Sequence, residues 1–524
     1  MLTLTHARSG NEGAFIVADI APETGEDESV EPGVWRFARV ERASVIVDAA
    51  DYFAYMQVAM LKARKRIMLV GWDFDTRIHL ALGRRWFSRM IRRDYPRRLG
   101  SFLMWLARKN RDLDIRVLKW GLGLVPFLVR GYMMVDVARM AAYKGITFKF
   151  DNKHPIGCSH HQKIAVLDDR LAVCGGIDMT QDRWDTREHL EHDRRRRRPR
   201  GRRYGPWHDA TMMLEGDAAR ELGRLSRGRW LRAGGEPLDE VTCETDSLWP
   251  DELPVQFENV ELAICRTRAK YHDTTQIREI ETSLLAQIAA AKKFIYSENQ
   301  YLTSPRIVEA IGKRLKEANP PEIVMVEPLV ADGWLEQQAM DHARALLVRG
   351  LKELDHKGRF GLFTPFTGKT PIYVHAKLTI FDDRVLRIGS ANFNNRSMGL
   401  DSECDLFLDC ERPGNDHACH AIGALRRSLL AEHCGLEEDE VARALEGDGS
   451  MLALIRDRGQ ANSRTLRPFQ IPEPNEVQEG LAESQVLDPE TPEEMFEPFA
   501  KGGLLKQGSL IRRAYVRATR GRRT

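Results

Sequence analysis

Three kinds of feature that would assign this chain to a specialised class are scarce or missing. Its 524 residues hold only eight cysteines and no Cys-x-x-Cys pair, so we expect reduced thiols rather than a disulfide framework. A formal net charge of +3 excludes a chain that attracts nucleic acid over its whole surface. The N-terminal residues lack the apolar core of an export signal. These absences predict a cytoplasmic or peripheral-membrane location, and export without a cleavable signal stays open.

Long hydrophobic runs are missing too. The most apolar window, WGLGLVPFLV at 120–129, has about half the length of a membrane helix and contains a proline. We expect this window to be a buried segment, with a patch lying on a membrane surface as the alternative.

One segment of the chain is present twice. HQKIAVLDDRLAVCGGID at 161–178 returns as HAKLTIFDDRVLRIGSAN at 375–392 without a gap. Around each copy the apolar pattern reads strand, helix, strand, helix, strand, which predicts an α/β fold with two similar domains, each a mixed β-sheet flanked by helices. We expect an N-terminal segment at 1–40, a first half at 41–255, a second half at 256–465 and a partly disordered tail at 466–524.

Each copy contains a histidine, a lysine two residues later and an aspartate five residues after that lysine. In an extended strand, residues i and i+2 point to one face, so His161 and Lys163 should face one pocket, as should His375 and Lys377. His160 should then point to the other side and act as a structural or supporting residue.

Polar residues downstream of each copy suit the binding of an anion. GGID at 175–178 and GSAN at 389–392 let backbone amides approach a phosphate, with Ser390 and the amide of Asn392 as further donors. Asp178 differs, because an ionised carboxylate cannot donate a hydrogen bond to a phosphate. For Gly175 and Gly176 a plain turn is the alternative. Two carboxylates follow, Asp209 and Glu403, and either an orienting bond to a histidine or an ordinary salt bridge explains them.

The motifs HQKIAVLD and HAKLTIFD resemble the paired HKD motifs of the phospholipase D superfamily over about residues 40–440. Five further blocks resemble its eukaryotic-type branch, namely HHQK, GGIDMTQDRWD, PWHD, IYSENQYLTS and SANFNNRSM. The resemblance implies two α/β halves related by a pseudo-twofold axis, with both motifs at their interface and a glycerophospholipid as substrate.

The resemblance also implies roles for the motif residues. His161 would attack phosphorus and His375 would act as general acid and then base, with the reverse assignment open. Lys163, Lys377 and Asn392 would hold the phosphate oxygens. The two motif aspartates, Asp168 and Asp382, would lie outside the phosphate pocket and tie the strand to the scaffold. The cysteines and histidines at 410–434 match no zinc spacing, so neither a metal nor a cofactor is expected.

Other functions and partners stay open from the sequence. A phosphatidylserine or cardiolipin synthase would use the same covalent step, a nuclease is favoured by the eight arginines in Arg194–Arg203, and a binding protein is the weakest alternative. The arginine run is expected either to be solvated or to contact anionic lipid. We expect a monomer whose cleft mouth is lined by Trp184, Trp207 or Tyr301.

Overall fold

The architecture comes from a computed structural model. It describes residues 28–81, 95–121, 132–242, 246–272, 274–330, 334–447, 449–460 and 462–470. The predictions for residues 122–129 of the apolar window and for the tail beyond residue 470 therefore lie outside the described residues.

The first half of the structure consists of the elements from β1 to α4. They are β1 (Arg36–Val47), α1 (Ala49–Lys62), β2 (Arg66–Gly71), α2 (Leu99–Lys109), β3 (Asp114–Trp120), α3 (Tyr132–Ala141), β4 (Ile146–Asp151), β5 (Ile164–Leu167), β6 (Leu171–Gly175), β7 (Trp207–His208), β8 (Ala210–Glu215) and α4 (Asp217–Arg232).

The second half is the run from β9 to β19. Its elements are β9 (Phe257–Arg268), β10 (Ile277–Arg278), α5 (Glu279–Ala290), β11 (Phe294–Glu298), α6 (Pro305–Leu315), β12 (Glu322–Val326), α7 (Trp334–Leu354), β13 (Phe360–Thr367), β14 (Thr370–Pro371), β15 (Tyr373–Val374), β16 (Leu378–Phe381), β17 (Val385–Gly389), α8 (Asn395–Gly399), β18 (Glu403–Asp409), α9 (Ala418–Cys434), α10 (Glu438–Ala444), α11 (Met451–Asp457) and β19 (Arg464–Pro468).

The two halves share one strand order. Neighbouring strands pair in the order β4, β3, β2, β5, β6, β8, β1 in the first half. The second half repeats it as β13, β12, β11, β16, β17, β18, β9. Strands β2 to β4 and β11 to β13 are parallel and the others antiparallel, and β1 pairs with β9 antiparallel. The predicted fold class, two similar α/β halves with mixed sheets, is confirmed.

Alternating side chains on the repeated strands divide the core into layers. Ile164 and Val166 of β5 lie in one hydrophobic cluster with Leu378 and Ile380 of β16. The intervening residues of β5 face a separate layer that includes α1 and α2, and those of β16 face the layer of α5 and α6. Each fully buried aliphatic side chain contributes about 1.5–3 kcal/mol. The shared layer therefore joins β5 to β16 and brings together the motif residues that precede them.

The motif histidines and lysines stand just ahead of the strands, because β5 begins at Ile164 and β16 at Leu378. Their extended backbone pairs across the two halves. His161 N–H donates to the Ser402 carbonyl at 2.9 Å, and His375 N–H donates to the His208 carbonyl at 2.7 Å. The motif residues are thus extended but lie ahead of β5 and β16, and each segment bonds to the opposite half.

The cysteines depart from the prediction at one place. Cys410 and Cys419 form a disulfide with a Cα–Cα distance of 5.5 Å, which lies in the normal range for such bridges. The expectation of uniformly reduced thiols is therefore wrong, because a spacing of nine residues carries no recognisable motif. Cys174, Cys265, Cys404 and Cys434 are buried thiols.

None of the helices in the described ranges is both long and apolar enough to cross a bilayer. Strand β19 runs through the predicted boundary at 465/466, and β1 begins at Arg36, before the predicted boundary at 40/41. The division of the chain into domains stays a prediction.

Candidate active site

Each motif histidine lies against a carboxylate of the opposite half. His161 Nδ1 is 3.0 Å from Glu403 Oε1 and 3.1 Å from the Ser390 carbonyl oxygen. His375 Nδ1 is 2.7 Å from Asp209 Oδ2. A carboxylate accepts, so Nδ1 of each ring carries the proton and Nε2 is left for chemistry. The arrangement gives two oriented imidazoles, one from each half.

Burial sets the electrostatics of these pairs. Burial, reinforced by Lys163 and Lys377, lowers the pKa of His161 well below its usual value. Burial likewise lowers the pKa of His375, together with Lys377, Arg183, Lys163 and His161. Each histidine is thus influenced by the lysines of both motifs, and the two motifs share one electrostatic environment.

The two carboxylates are held differently. Glu403 accepts hydrogen bonds from the hydroxyl groups of Ser390, at 2.5 Å, and Ser397, at 2.7 Å. Asp209 accepts from the Ala210 backbone N–H at 2.9 Å. Burial raises the pKa of Glu403 to about 7 and that of Asp209 to about 6.

The glycine pair of the first half has a packing role. A Cβ on Gly176 would stand 2.1 Å from Asp209 Oδ1, so only glycine leaves room for this carboxylate. The backbone at Gly176 therefore lies against the carboxylate of Asp209, which is an anion of the protein itself.

The motif lysines also have unlike partners. Lys163 Nζ donates to the His161 carbonyl at 2.7 Å and lies 3.4 Å from Asp178 Oδ2. Lys377 Nζ donates to the His375 carbonyl and, at 3.2 Å, to Gln300 Oε1. Burial lowers the pKa of Lys377 to about 7.

The residues of the two downstream blocks, GGID at 175–178 and GSAN at 389–392, also have unlike partners. Asp178 Oδ1 accepts the backbone N–H of Trp72 at 3.1 Å, so this carboxylate links a neighbouring loop to Lys163. Asn392 Nδ2 donates to Gln300 Oε1 at 3.4 Å, and its buried Oδ1 makes no hydrogen bond to the described residues. The amide of Asn392 thus lies beside Lys377.

The motif aspartates serve the scaffold. Asp168 accepts the backbone N–H groups of residues 64–66 at 2.7–2.8 Å, and Asp382 accepts those of residues 292–294 at 2.7–2.8 Å. Both have positive φ, 52° and 57°, at the turn after their strand. Each aspartate ties the β5–β6 or β16–β17 turn to the start of the antiparallel neighbouring strand, β2 or β11, away from the histidines.

The three aromatic residues predicted for the cleft lie in different places. Trp207 stacks on Tyr373 at 4.5 Å and its ring is 5.2 Å from that of His375. Tyr301 accepts a hydrogen bond from Gln300 Nε2 at 2.9 Å. Trp184 lies under the Arg195 guanidinium at 5.0 Å. Trp207 is thus in direct contact with a motif histidine, and Tyr301 reaches the site through Gln300.

Curated proteins similar to this chain are eukaryotic phospholipases D. Phospholipase D A of Dictyostelium discoideum is 24% identical over 493 residues, covering 77% of this chain and 36% of that protein. Phospholipase D1 of Schizosaccharomyces pombe is 24% identical over 503 residues, covering 75% and 35%. Phospholipase D alpha 4 of Arabidopsis thaliana is 23% identical over 483 residues, covering 72% and 62%.

The family model described as Phospholipase D matches residues 365–462, which include the second motif and Glu403. By this match and these relatives, the chain is similar to members of the phospholipase D superfamily. Its alignments span about a third of the length of the first two relatives of the superfamily. Among solved structures, the phosphatidylserine synthase of Haemophilus influenzae Rd KW20 aligns with a TM-score of 0.46 and 13% identity, over 74% of this chain and 87% of that one.

Four residues around the site were missed from the sequence. Gln300 joins Lys377 to Asn392, Tyr373 and Tyr301. Arg183 lies over Trp207 at 4.3 Å, Tyr373 stacks on the same ring, and the edge of Trp72 faces His161 at 6.3 Å. Gln300 and Arg183 belong to the blocks IYSENQYLTS and GGIDMTQDRWD, so the family resemblance offered a signal for them.

The arginine run is partly internal. Arg196 is buried and pairs with Asp185 at 3.0 Å, while Arg195 pairs with Asp193 at 2.7 Å. Arg194, Arg197, Arg200, Arg202 and Arg203 are exposed. The run therefore has a structural anchor and an exposed cationic part.

Proposed function

We propose that this protein cleaves the phosphodiester bond of glycerophospholipids to give phosphatidic acid and a free head-group alcohol. The observation that carries the proposal is the crossed pairing of His161 with Glu403 and of His375 with Asp209. Two oriented imidazoles in one buried, lysine-bearing environment suit attack on phosphorus from one side and protonation of a leaving group on the other.

In the first step, Nε2 of His161 attacks phosphorus, and the bond from phosphorus to the head-group oxygen breaks. His375, entering as the imidazolium, gives its Nε2 proton to the departing alkoxide. Asp209 stabilises that imidazolium and Glu403 stabilises the positive charge that develops on His161. The products of the step are the free alcohol and a phosphatidyl group on His161.

In the second step, His375 is neutral and removes a proton from water. The hydroxide attacks phosphorus, the P–N bond to His161 breaks, and phosphatidic acid leaves. Another alcohol in place of water gives a new phosphatidyl ester, so hydrolysis and phosphatidyl transfer share one intermediate.

The cations of the site act on the phosphate. Lys163, Lys377 and the Asn392 amide are buried donors beside the histidines, and they bind the non-bridging oxygens more strongly as charge grows in the transition state. All of these groups belong to the protein, so the two steps use its own side chains.

The exposed arginines at 194–203 are proposed to contact anionic lipid. They lie on a loop whose neighbour Arg196 is fixed by Asp185, and Asp185 also accepts the Trp207 backbone N–H at 2.9 Å. A cationic loop anchored next to the site would hold it at a membrane surface. The monomer predicted from the sequence stays part of the proposal.

The test is an assay of the purified full chain on vesicles of phosphatidylcholine, phosphatidylethanolamine or cardiolipin and on single-stranded DNA, each with and without ethanol. We expect phosphatidic acid from a phospholipid, and phosphatidylethanol when ethanol is present. DNA cleavage without lipid turnover would overturn the proposal in favour of a nuclease. Phosphatidyl transfer to ethanol without hydrolysis would favour a synthase.

A further inference from the structure

A second cluster of buried histidines and carboxylates lies behind the histidine pair. Asp48 follows β1, His189 lies in the loop after β6, His208 is in β7, and Glu432 is in α9. One ligand atom of each residue lies within 4.8 Å of those of the other three, and all four side chains are buried. The cluster contains the donor types that bind a transition metal, two imidazoles and two carboxylates.

The spacing of these atoms suits a tetrahedron. His189 Nε2 is 3.4 Å from Asp48 Oδ2 and 3.0 Å from Glu432 Oε1. His208 Nδ1 is 3.4 Å from Asp48 Oδ1 and 3.0 Å from the same Glu432 oxygen. Ligands about 2.0–2.1 Å from a tetrahedral zinc ion are about 3.3–3.4 Å apart. These four distances lie at or somewhat below the expected separation, with Asp48 facing His189 through Oδ2 and His208 through Oδ1.

Hydrogen bonding leaves part of this cluster unsatisfied. The contact of His189 with Glu432 is directional, whereas the contacts of Asp48 Oδ2 at 3.4 Å and of His208 Nδ1 at 3.0 Å lack hydrogen-bond geometry. Both atoms are buried and aimed into the cluster. An orphaned buried polar group costs about 1–3 kcal/mol, and a cation at the centre would satisfy both atoms at once.

Outer carboxylates orient both imidazoles toward the centre. His189 Nδ1 is 3.0 Å from Asp185 Oδ2, and His208 Nε2 is 2.9 Å from Glu298 Oε2. A carboxylate on the far ring nitrogen is the usual support of a metal-binding histidine, because it fixes the tautomer that presents the other nitrogen. Both histidines of the cluster have this support.

The local charge leaves room for a divalent ion. The cluster and its outer shell hold four carboxylates, and two arginines pair with them, Arg187 with Glu432 and Arg196 with Asp185. With neutral imidazoles, two negative charges remain buried. We propose that Asp48, His189, His208 and Glu432 bind one zinc ion, which neutralises this excess.

The proposed ion has a positioning role. His208 directly precedes Asp209, and its carbonyl accepts the His375 N–H at 2.7 Å. Asp48 belongs to the first half and Glu432 to the second, so the ion would link the two halves. This link would lie next to the backbone of His208 and Asp209, beside the pair formed by His375 and Asp209. The proposal departs from the expectation of a metal-free chain, because these four ligands come from four distant segments.

Metal content of the untagged full chain, purified after growth with zinc and dialysed against metal-free buffer, tests the proposal. We expect about one zinc ion per chain, with an X-ray absorption spectrum of nitrogen and oxygen ligands near about 2.0 Å and no sulfur. His189→Gln should lower zinc content about tenfold or more. His417→Gln is the matched control, because His417 is exposed, bonds to the Glu258 carbonyl and contacts none of the cluster residues.

Wild-type protein that is stable and metal-free, and that gives no tetrahedral cobalt spectrum after incubation with Co²⁺, would overturn the proposal. Protonated imidazoles would then hold the cluster together. Should His189→Gln fail to fold, the wild-type metal content and absorption spectrum still decide. A zinc ion found with sulfur ligands would also contradict the assignment.

Discussion

The two halves have one scaffold but two different histidine environments. Asp168 and Asp382 make the same three backbone hydrogen bonds in the two copies. The carboxylate beside His161 accepts two hydroxyl groups, whereas the one beside His375 accepts a backbone amide. The two copies thus share the backbone scaffold, whereas the polar groups around the two histidines differ.

The lysines extend this difference. Lys163 lies beside the carboxylate of Asp178, while Lys377 lies beside the neutral amide of Gln300. Arg183 adds a further positive charge near His375 and lowers its pKa. The pKa of His161 is lowered as well, so electrostatics does not separate the two roles, and His161 as nucleophile with His375 as general acid stays a proposal.

The largest effect should come from removing each histidine in turn. His161→Ala should lower kcat at least about 10³-fold, because the attacking nitrogen is lost. His375→Ala should be equally slow on phosphatidylcholine, yet give a burst with a p-nitrophenyl phosphatidyl ester, since that leaving group needs no proton. Rapid-quench measurement of nitrophenol checks both variants, and a burst in His161→Ala alone would reverse the roles.

The orienting carboxylates should follow. Glu403→Gln should lower kcat by about 10²-fold to 10⁴-fold with little change in KM, because the imidazole loses its tautomer control and charge support. Ser397→Ala should cost much less, since Ser390 still donates to Glu403. Steady-state kinetics on vesicles measures both. Full activity in Glu403→Gln would show that the pairing has no catalytic part.

The motif aspartates should affect stability rather than chemistry. Asp168→Ala and Asp382→Ala should each lower the free energy of unfolding by about 2–4 kcal/mol, because three backbone N–H groups lose their acceptor. Urea denaturation gives the loss, and kcat per folded molecule should fall less than about tenfold. A much larger fall for one aspartate alone would mean that the scaffold is not symmetric.

The smallest effect concerns pH. Burial raises the pKa of Glu403 from 4.5 to about 7, so between these values the folded protein keeps a proton that the unfolded chain has lost. The stability of the wild type relative to Glu403→Gln should therefore fall as pH rises through this window, by about 1–3 kcal/mol. Urea denaturation at several pH values measures the difference, and a constant difference would contradict the burial of this charge.

Much of the fold could be predicted because each copy of the repeat is one uninterrupted stretch of sequence. The strands β5 and β16, and then β6 and β17, lie at matching positions of the two copies. The alternation of buried residues also matches in the two copies, with Ile164 and Val166 corresponding to Leu378 and Ile380. Local patterns of this kind depend only on residues close in the chain.

The site was harder to predict because its contacts cross between the halves. Glu403 follows the second motif in the chain but lies against His161 of the first. No spacing in the sequence indicates this pairing between the halves. The disulfide of Cys410 and the cluster around His208 likewise depend on distant or unpatterned positions. Residue types and candidate carboxylates could be predicted, and their pairing could not.

The central claim is that His161 and His375 act on one phosphorus atom from opposite sides. A crystal structure of the protein with vanadate tests it most directly. We expect one vanadate whose vanadium atom is bonded to His161 Nε2. Its apical oxygen on the opposite side should lie within hydrogen-bonding distance of His375 Nε2. Vanadate bound to one histidine with the other in a separate cavity would contradict the account.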